Sequence, residues 1–137
     1  MIVIMSFDIN EYIENNKKGF IEDIGIEILE ISTGFCKGRI KLEKRHQNPL
    51  GTVHGGCLFT LADTIGGLAA ISHGYQVVTL NSEIHYLNPA VDTTCIIATS
   101  KEIKFGKHTS VYEVSITNDK EQLVATTTLT YFCLYSL

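Results

Sequence analysis

Three features of the 137-residue chain predict an α+β fold with an antiparallel sheet: one long and nearly all-apolar helix, two short strands ahead of it, and four strands in a row behind it. Residues 7–20 read as a short polar helix anchored by Phe7, Tyr12, Ile13 and Phe20, with Gly19 as its stop. Ile24, Ile26 and Ile28 then alternate with Gly25 and Glu27, the period of a strand. After a turn near Thr33-Gly34, Ile40 and Leu42 alternate with Arg39, Lys41 and Glu43 in a second strand. A loop from His46 to Val53 contains Asn48-Pro49 and Gly51.

The long helix is predicted over about Gly56 to His73, with Gly74 as its C-cap. Leu58, Leu61, Ala62, Ile65, Leu68, Ala69 and Ser72 recur at helical spacing, and the neighbouring face carries Phe59, Asp63, Gly66, Gly67 and Ala70. A helix that is apolar on nearly every side is a buried helix. Beyond it Val78, Leu80, Ser82, Ile84 and Tyr86 alternate with Thr79, Asn81, Glu83 and His85 as far as Asn88-Pro89. Residues 93–105, 109–117 and 122–134 are rich in Ile, Val, Thr and Tyr, with Gly106 and Asn118-Asp119 at the hairpin turns. Such short connections leave no room for parallel crossovers, so the helix lies against one face of an antiparallel sheet. With no internal repeat and no linker, residues 1–137 read as one domain, its N-terminal helix at about 7–20 and its core at about 21–134.

Composition narrows the class without naming a function. The chain is 45% hydrophobic with 11 Lys+Arg against 15 Asp+Glu, a net charge of −4. A dedicated nucleic-acid binder usually shows a basic surplus, so no nucleic-acid partner is expected. The balance is uneven along the chain: residues 31–107 hold 8 Lys+Arg and 5 acids, a basic middle compatible with a small phosphorylated ligand. Cys36, Cys57, Cys95 and Cys133 form no CxxC pair and meet no clustered histidine, so no metal site is expected and the cysteines read as small buried hydrophobes kept reduced. The apolar start, residues 1–5, is too short for a signal h-region, and the stretch from Cys57 to Ile71 is interrupted by Asp63 and too short to span a bilayer. The expectation is a cytoplasmic protein with no membrane partner.

The informative segment is Asn48-Pro49-Leu50-Gly51-Thr52-Val53-His54-Gly55-Gly56, running into the helix that holds Asp63. Glycines at a helix start leave backbone N–H groups unscreened at the positive end of the helix dipole, where an oxygen that becomes anionic in a transition state is stabilised. Glycine at a helix end is also common in plain structural caps, so both readings stand on the residues alone. For Asp63 the functional reading is favoured. Its neighbours are apolar or tiny, and Gly66 and Gly67 each cost about 1 kcal/mol relative to Ala inside a helix, which points to something approaching the backbone closely on the Asp63 side. Eight residues separate Gly55 from Asp63, about 12 Å of helix. One carbonyl cannot touch both within a single chain, so either the two serve different sites or a two-fold dimer makes two composite ones.

The run His54-Gly55-Gly56-Cys57-Leu58-Phe59-Thr60-Leu61-Ala62-Asp63, preceded by Asn48 and followed by Tyr86-Leu87-Asn88-Pro89-Ala90, resembles the hotdog-fold acyl-CoA thioesterases of the PaaI-like (phenylacetic-acid-degradation type) branch. The resemblance covers roughly Ile21 to Phe132. It implies a sheet of five to six strands wrapped around the long helix, subunits paired at least as dimers and further as tetramers, and an acyl-CoA substrate with coenzyme A as the only cofactor-like group. It implies Asp63 as the catalytic carboxylate acting across the dimer, the Gly55 N–H as the group polarising the thioester carbonyl, His54 and Asn48 as orienting residues, and Thr79 as a holder of the attacking water. It also implies coenzyme A contacts at Gly56, Asn81, Tyr86, Lys104, Gly106, Lys107, His108 and Thr109. Leu58, Phe59 and the N-terminal helix are candidates to line the acyl pocket, and His85 shares a strand face with Asn81. Two other readings compete: a hotdog dehydratase or hydratase using His54 and Asp63, and a non-catalytic acyl-CoA-binding module, which would have no need of the carboxylate.

Overall fold

The computed structural model describes residues 6–137; the apolar start at residues 1–5 lies outside them. The elements in chain order are α1 (Ile9–Asn16), α2 (Phe20–Ile24), β1 (Ile26–Ser32), β2 (Phe35–Lys41), a 3₁₀ turn (Lys44–His46), α3 (Gly55–Ile71), β3 (Tyr75–Tyr86), β4 (Cys95–Phe105), β5 (Thr109–Asn118) and β6 (Leu123–Ser136). The strands form one six-stranded sheet in the order β1-β2-β4-β5-β6-β3, with every pair antiparallel. The expected α+β architecture, a sheet around one long helix, is what the chain adopts.

The N-terminal region differs from its sequence reading. The expected helix over 7–20 is two helices, because Gly19 takes φ +92° and breaks the chain between Asn16 and Phe20. Asp8 caps α1 by accepting from the Asn10 and Glu11 amides, and the Asn16 side chain donates back to the Tyr12 carbonyl. Ile24 is not a strand residue: it closes α2, Gly25 follows at φ +84° as a left-handed C-cap, and the strand period begins only at Ile26. The long helix starts one residue earlier than expected, at Gly55, and ends at Ile71. Ser72 is its C-cap, while Gly74 turns the chain at φ +95°.

Helix α3 contacts all six strands. Leu61, Ala62, Ile65, Ala69 and Ala70 are fully buried against Ile40, Ile96, Ala98, Val114, Ile116 and Leu129. Two of the four cysteines, Cys36 and Cys57, are buried as expected. Cys95 and Cys133 are only half-buried. Burial pushes the Cys36 thiol up to about 12.

A bulge in β3 sets what that strand shows to α3. Leu80 is the extra residue in β3, since Thr79 pairs with Tyr131 while Asn81 pairs with Thr130. Thr79 therefore faces α3, and beyond the bulge Ser82, Ile84 and Tyr86 take over that face. Asn81 and His85 point to the outer face. β3 is also an edge strand, twelve residues long, with Val78 and Leu80 exposed by 44% and 58%.

Gly38 on β2 marks the closest approach of helix and sheet. A Cβ there would lie 2.5 Å from Ile65 Cδ1 and 2.8 Å from the Glu27 carbonyl oxygen. Gly38→Ala is expected to destabilise the fold by about 1–3 kcal/mol, because the backbone oxygen cannot move aside. Urea unfolding monitored by circular dichroism checks this, and an unchanged midpoint would show that the helix and strand can separate without cost.

Candidate active site

The segment ahead of α3 is held by its own polar side chains. Asn48 Oδ1 accepts from the Leu50 and Thr52 amides, and its Nδ2 donates to Thr52 Oγ1, closing the 48–52 turn. The Val53 amide donates to the Ala90 carbonyl and the His54 amide to the His46 carbonyl. His46 itself is buried and structural: Nδ1 accepts from the Glu43 amide and Nε2 donates to the Ile24 carbonyl.

His54 is the N-cap of α3. Its Nδ1 accepts from the Gly56 amide at 2.8 Å, which leaves the proton of the neutral ring on Nε2. Gly56, expected to bind coenzyme A, therefore has its N–H taken by the cap. The Gly55 N–H has no hydrogen-bond partner among the described residues, and it stands at the positive end of a 17-residue helix. Tyr86 reaches the same residue from β3: its hydroxyl donates to the Gly55 carbonyl at 3.1 Å, and a Cβ on Gly55 would touch its ring at 3.2 Å. The two halves of the sequence motif thus meet, because Tyr86 and Ala90 brace the loop that delivers Gly55. Asn48, Gly55, Leu58 and Tyr86 line a cavity of about 290 Å³.

Asp63 lies two turns further along α3, in a different cavity. Its Oδ1 accepts from Thr79 Oγ1 at 2.8 Å and lies 3.2 Å from the Tyr131 hydroxyl, which also lies 3.0 Å from the Asp63 carbonyl oxygen. Burial first, and then the Asp63 carboxylate, push the Tyr131 hydroxyl far above the ordinary phenol range, so it remains protonated and is the donor. The cavity measures about 610 Å³; Asp63, Thr79 and Tyr131 form part of its wall, with Tyr12 and Ile13 of α1, Ile26 and Ile28 of β1, and Leu68 and Ile71 of α3. Neither cavity contains both Gly55 and Asp63.

Sequence reasoning missed Tyr131. The paired glycines Gly66 and Gly67 were the signal: a Cβ on Gly66 would sit 2.5 Å from the Tyr131 hydroxyl, and one on Gly67 would lie 3.6 Å from its ring. The close approach was legible, but not the residue making it, which comes from the last strand.

The remaining expected contacts are elsewhere. Lys104, Gly106, Lys107, His108 and Thr109 surround the β4–β5 turn, closed by a Gly106 amide bond to the Thr109 carbonyl. Phe105 stacks on His73 with ring centroids 3.7 Å apart, which fixes that turn at the C-terminal end of α3. Gly55 is at the other end, about 25 Å away by helix rise. Within one chain the lysines and Gly55 do not come together. Among the described residues no group of three or more His, Cys, Asp or Glu is placed to hold a metal ion, and no helix is long and apolar enough to cross a membrane.

An antiparallel sheet wrapped around one long helix, which carries an unpartnered glycine N–H at its start and a hydrogen-bonded carboxylate in its middle, is a hotdog scaffold. The model of the thioesterase superfamily matches residues 50–125, and the chain belongs to that family. It is 32% identical over 102 residues to the acyl-coenzyme A thioesterase PaaI of Escherichia coli, covering 74% of this chain and 73% of that protein. The structure of E. coli PaaI, from the phenylacetic acid degradation operon, superposes with a TM-score of 0.86 at 27% identity, over 93% of this chain and 92% of that one. A Streptococcus mutans protein bound to acetyl-CoA superposes with a TM-score of 0.78 at 31% identity, over 82% and 90% of the two chains.

His54→Ala removes the helix cap and is expected to lower stability by about 1 kcal/mol, with His54→Asn restoring most of it. Urea midpoints of the three proteins check this. Equal stabilities for all three would remove the capping role.

Proposed function

We propose that the protein hydrolyses the thioester bond of an acyl-CoA, releasing the free acid and coenzyme A, at two equivalent composite sites of a two-fold dimer. The observation that carries this reading is the separation of its two reactive parts along one helix. The Gly55 N–H and the Asp63 carboxylate occupy different cavities about 12 Å apart by helix rise, so one protomer holds two half-sites. The exposed β3 edge, bearing Val78 and Leu80 beside the residue that holds Asp63, is the surface suited to pairing with a second copy. Membership of the thioesterase superfamily and likeness to an acyl-CoA thioesterase support the choice of substrate.

In the composite site the Gly55 N–H of one protomer polarises the thioester carbonyl, with the α3 dipole behind it. Asp63 of the other protomer takes a proton from water as the water oxygen bonds to the carbonyl carbon, or attacks that carbon itself to give a mixed anhydride that water then opens. In either route the carbon–sulfur bond breaks and the coenzyme A thiolate leaves and is protonated. Thr79 holds Asp63 and stands where the water enters. His54 and Asn48 keep the Gly55 loop in register. The acyl group occupies the cavity of about 610 Å³ beneath α1, while Lys104 and Lys107 meet the phosphates and Asn81, Tyr86, Gly106, His108 and Thr109 border the coenzyme A path. Coenzyme A enters only as part of the substrate, and the setting is the cytoplasm.

Purified protein offered a panel of acyl-CoA thioesters is expected to release free thiol, and Asp63→Asn to reduce the rate at least about 100-fold. Silence across the panel would overturn the function, and equal rates would remove Asp63 from its role. Gly55→Pro deletes the N–H at a first helical position whose backbone suits proline, since His54 already has the extended backbone that precedes it, and the Tyr86 ring, 3.2 Å from the added Cβ, has to give slightly to admit it. Mixed and reassociated, the two inactive variants are expected to regain about a quarter of wild-type activity, since half the dimers are hybrids with one intact site of two. No recovery, or a fully active monomer in sedimentation, would contradict the composite site. Ile13→Phe narrows the acyl cavity and is expected to depress turnover of long acyl groups relative to short ones. An unchanged chain-length profile would place the acyl group elsewhere.

A further inference from the structure

We propose that Tyr131 is a positioning residue for Asp63: its hydroxyl reaches through the gap left by Gly66, fixes Oδ1 together with Thr79, and leaves Oδ2 as the oxygen that acts on substrate or water. The inference rests on the hydrolase reading above and adds a residue to it. Its geometry is specific. The Tyr131 ring is 1% exposed, packs edge-on against Tyr112 with centroids 6.0 Å apart, and places its hydroxyl 3.2 Å from Asp63 Oδ1 and 3.0 Å from the carbonyl of the same residue. The single hydroxyl proton is shared between the Asp63 carbonyl and Oδ1, and this bifurcated contact ties both the main chain and the side chain of Asp63 to the last strand of the sheet.

The helix is built to admit it. A Cβ on Gly66 would come within 2.5 Å of the hydroxyl and within 3.3 Å of Leu129 and Val114, so any larger residue there would push the ring away. Two glycines in the middle of a buried helix carry a propensity cost of about 1 kcal/mol each. Here Gly66 leaves the room that brings the phenol to the carboxylate. Thr79 approaches Oδ1 from the opposite strand neighbour, β3, and donates at 2.8 Å. Among the described residues Oδ2 has no hydrogen-bond partner, so the two oxygens of Asp63 are differentiated by their surroundings. A carboxylate turned freely about its last torsion would present either oxygen, and the two donors remove that freedom.

The charged and titratable groups around this pair are few. Tyr112 of β5 lies behind Tyr131, with its own hydroxyl directed to Glu102 of β4. Across the cavity stand Glu27 of β1 and Glu14 and Lys17 of α1. None of these is hydrogen-bonded to Asp63, so Thr79 and Tyr131 are its donors among the described residues.

The test compares wild type with Tyr131→Phe and, as a second probe of the same contact, Gly66→Ala, all as full chains. Tyr131→Phe keeps the buried ring and removes only the hydroxyl. It is expected to lower kcat roughly 10- to 100-fold with KM little changed. Gly66→Ala is expected to lower kcat in the same way with Tyr131, Thr79 and Asp63 all present. Independently of activity, carbon-13 NMR at a single neutral pH is expected to show the Asp63 carboxyl resonance displaced in both variants, because the hydroxyl no longer lies against Oδ1. An unmoved carboxyl resonance would overturn the proposal, even if thermal stability falls. Should wild type release no thiol from any acyl-CoA, the hydrolase reading fails, and the carboxyl resonance still decides whether Tyr131 holds Asp63.

Discussion

Burial of α3 on nearly every side requires its neighbours to approach its backbone more closely than ordinary side chains permit, and glycine provides the room at two places. Gly38 on β2 lets Ile65 lie against the sheet, and Gly66 on α3 lets Tyr131 lie against the helix. These contacts fix the height and rotation of the helix relative to the strands. Its N-terminus is thereby held against Tyr86 and the Asn88–Ala90 corner, and its middle against Thr79 and Tyr131. Positioning of Gly55 and Asp63 is thus a by-product of core packing rather than of loop conformation. A close-packed interior has few alternative arrangements, which suits a site whose atoms must be held to fractions of an ångström.

Several residues of the recognisable motif have their polar atoms engaged in the scaffold. His54 caps α3, Asn48 closes its own turn, and Tyr86 braces Gly55. The His54 and Asn48 bonds are local and the Tyr86 bond comes from β3, and among the described residues they leave the Gly55 N–H as the amide without a partner at the helix start. Among the described residues, the groups of this segment and of Asp63 without a partner are therefore one N–H at the positive end of the helix and one carboxylate oxygen in its middle. The neighbouring side chains keep these two in place.

Much of this was legible in the sequence for physical reasons. The apolar periodicity of residues 56–73 marks a buried helix, alternation and turn residues mark the strands, and Gly66-Gly67 marks a close approach to the backbone. The break after Asn16 is not legible, because the polar run contains no proline, and Gly19 alone does not show that a second helix follows it. The place of Ile24 in α2 is not legible either, because a period of two over three isoleucines is too short to distinguish the end of a helix from the start of a strand. The bulge at Leu80 and the partner of Asp63 were not legible, since register and long-range contact are decided by the sheet as a whole. Tyr131 lies 68 residues beyond Asp63, and nothing local links the two.

The wall of the larger cavity draws on three separate stretches of chain. Asp63, Thr79 and Leu68 belong to residues 50–125, which the family model matches, Tyr131 comes from the last strand, and Tyr12, Ile13, Ile26 and Ile28 come from the N-terminal quarter. None of the α1 residues is fully buried, and the Tyr12 hydroxyl bond to Gln76 at 2.8 Å ties that helix to β3. The α1 contribution is therefore separable under selection. On the proposed acyl-CoA hydrolysis, substitutions in α1 would reshape the chamber while leaving untouched the helix that carries Gly55 and Asp63, so a lineage could change its substrate range and keep the rest of the site as it is.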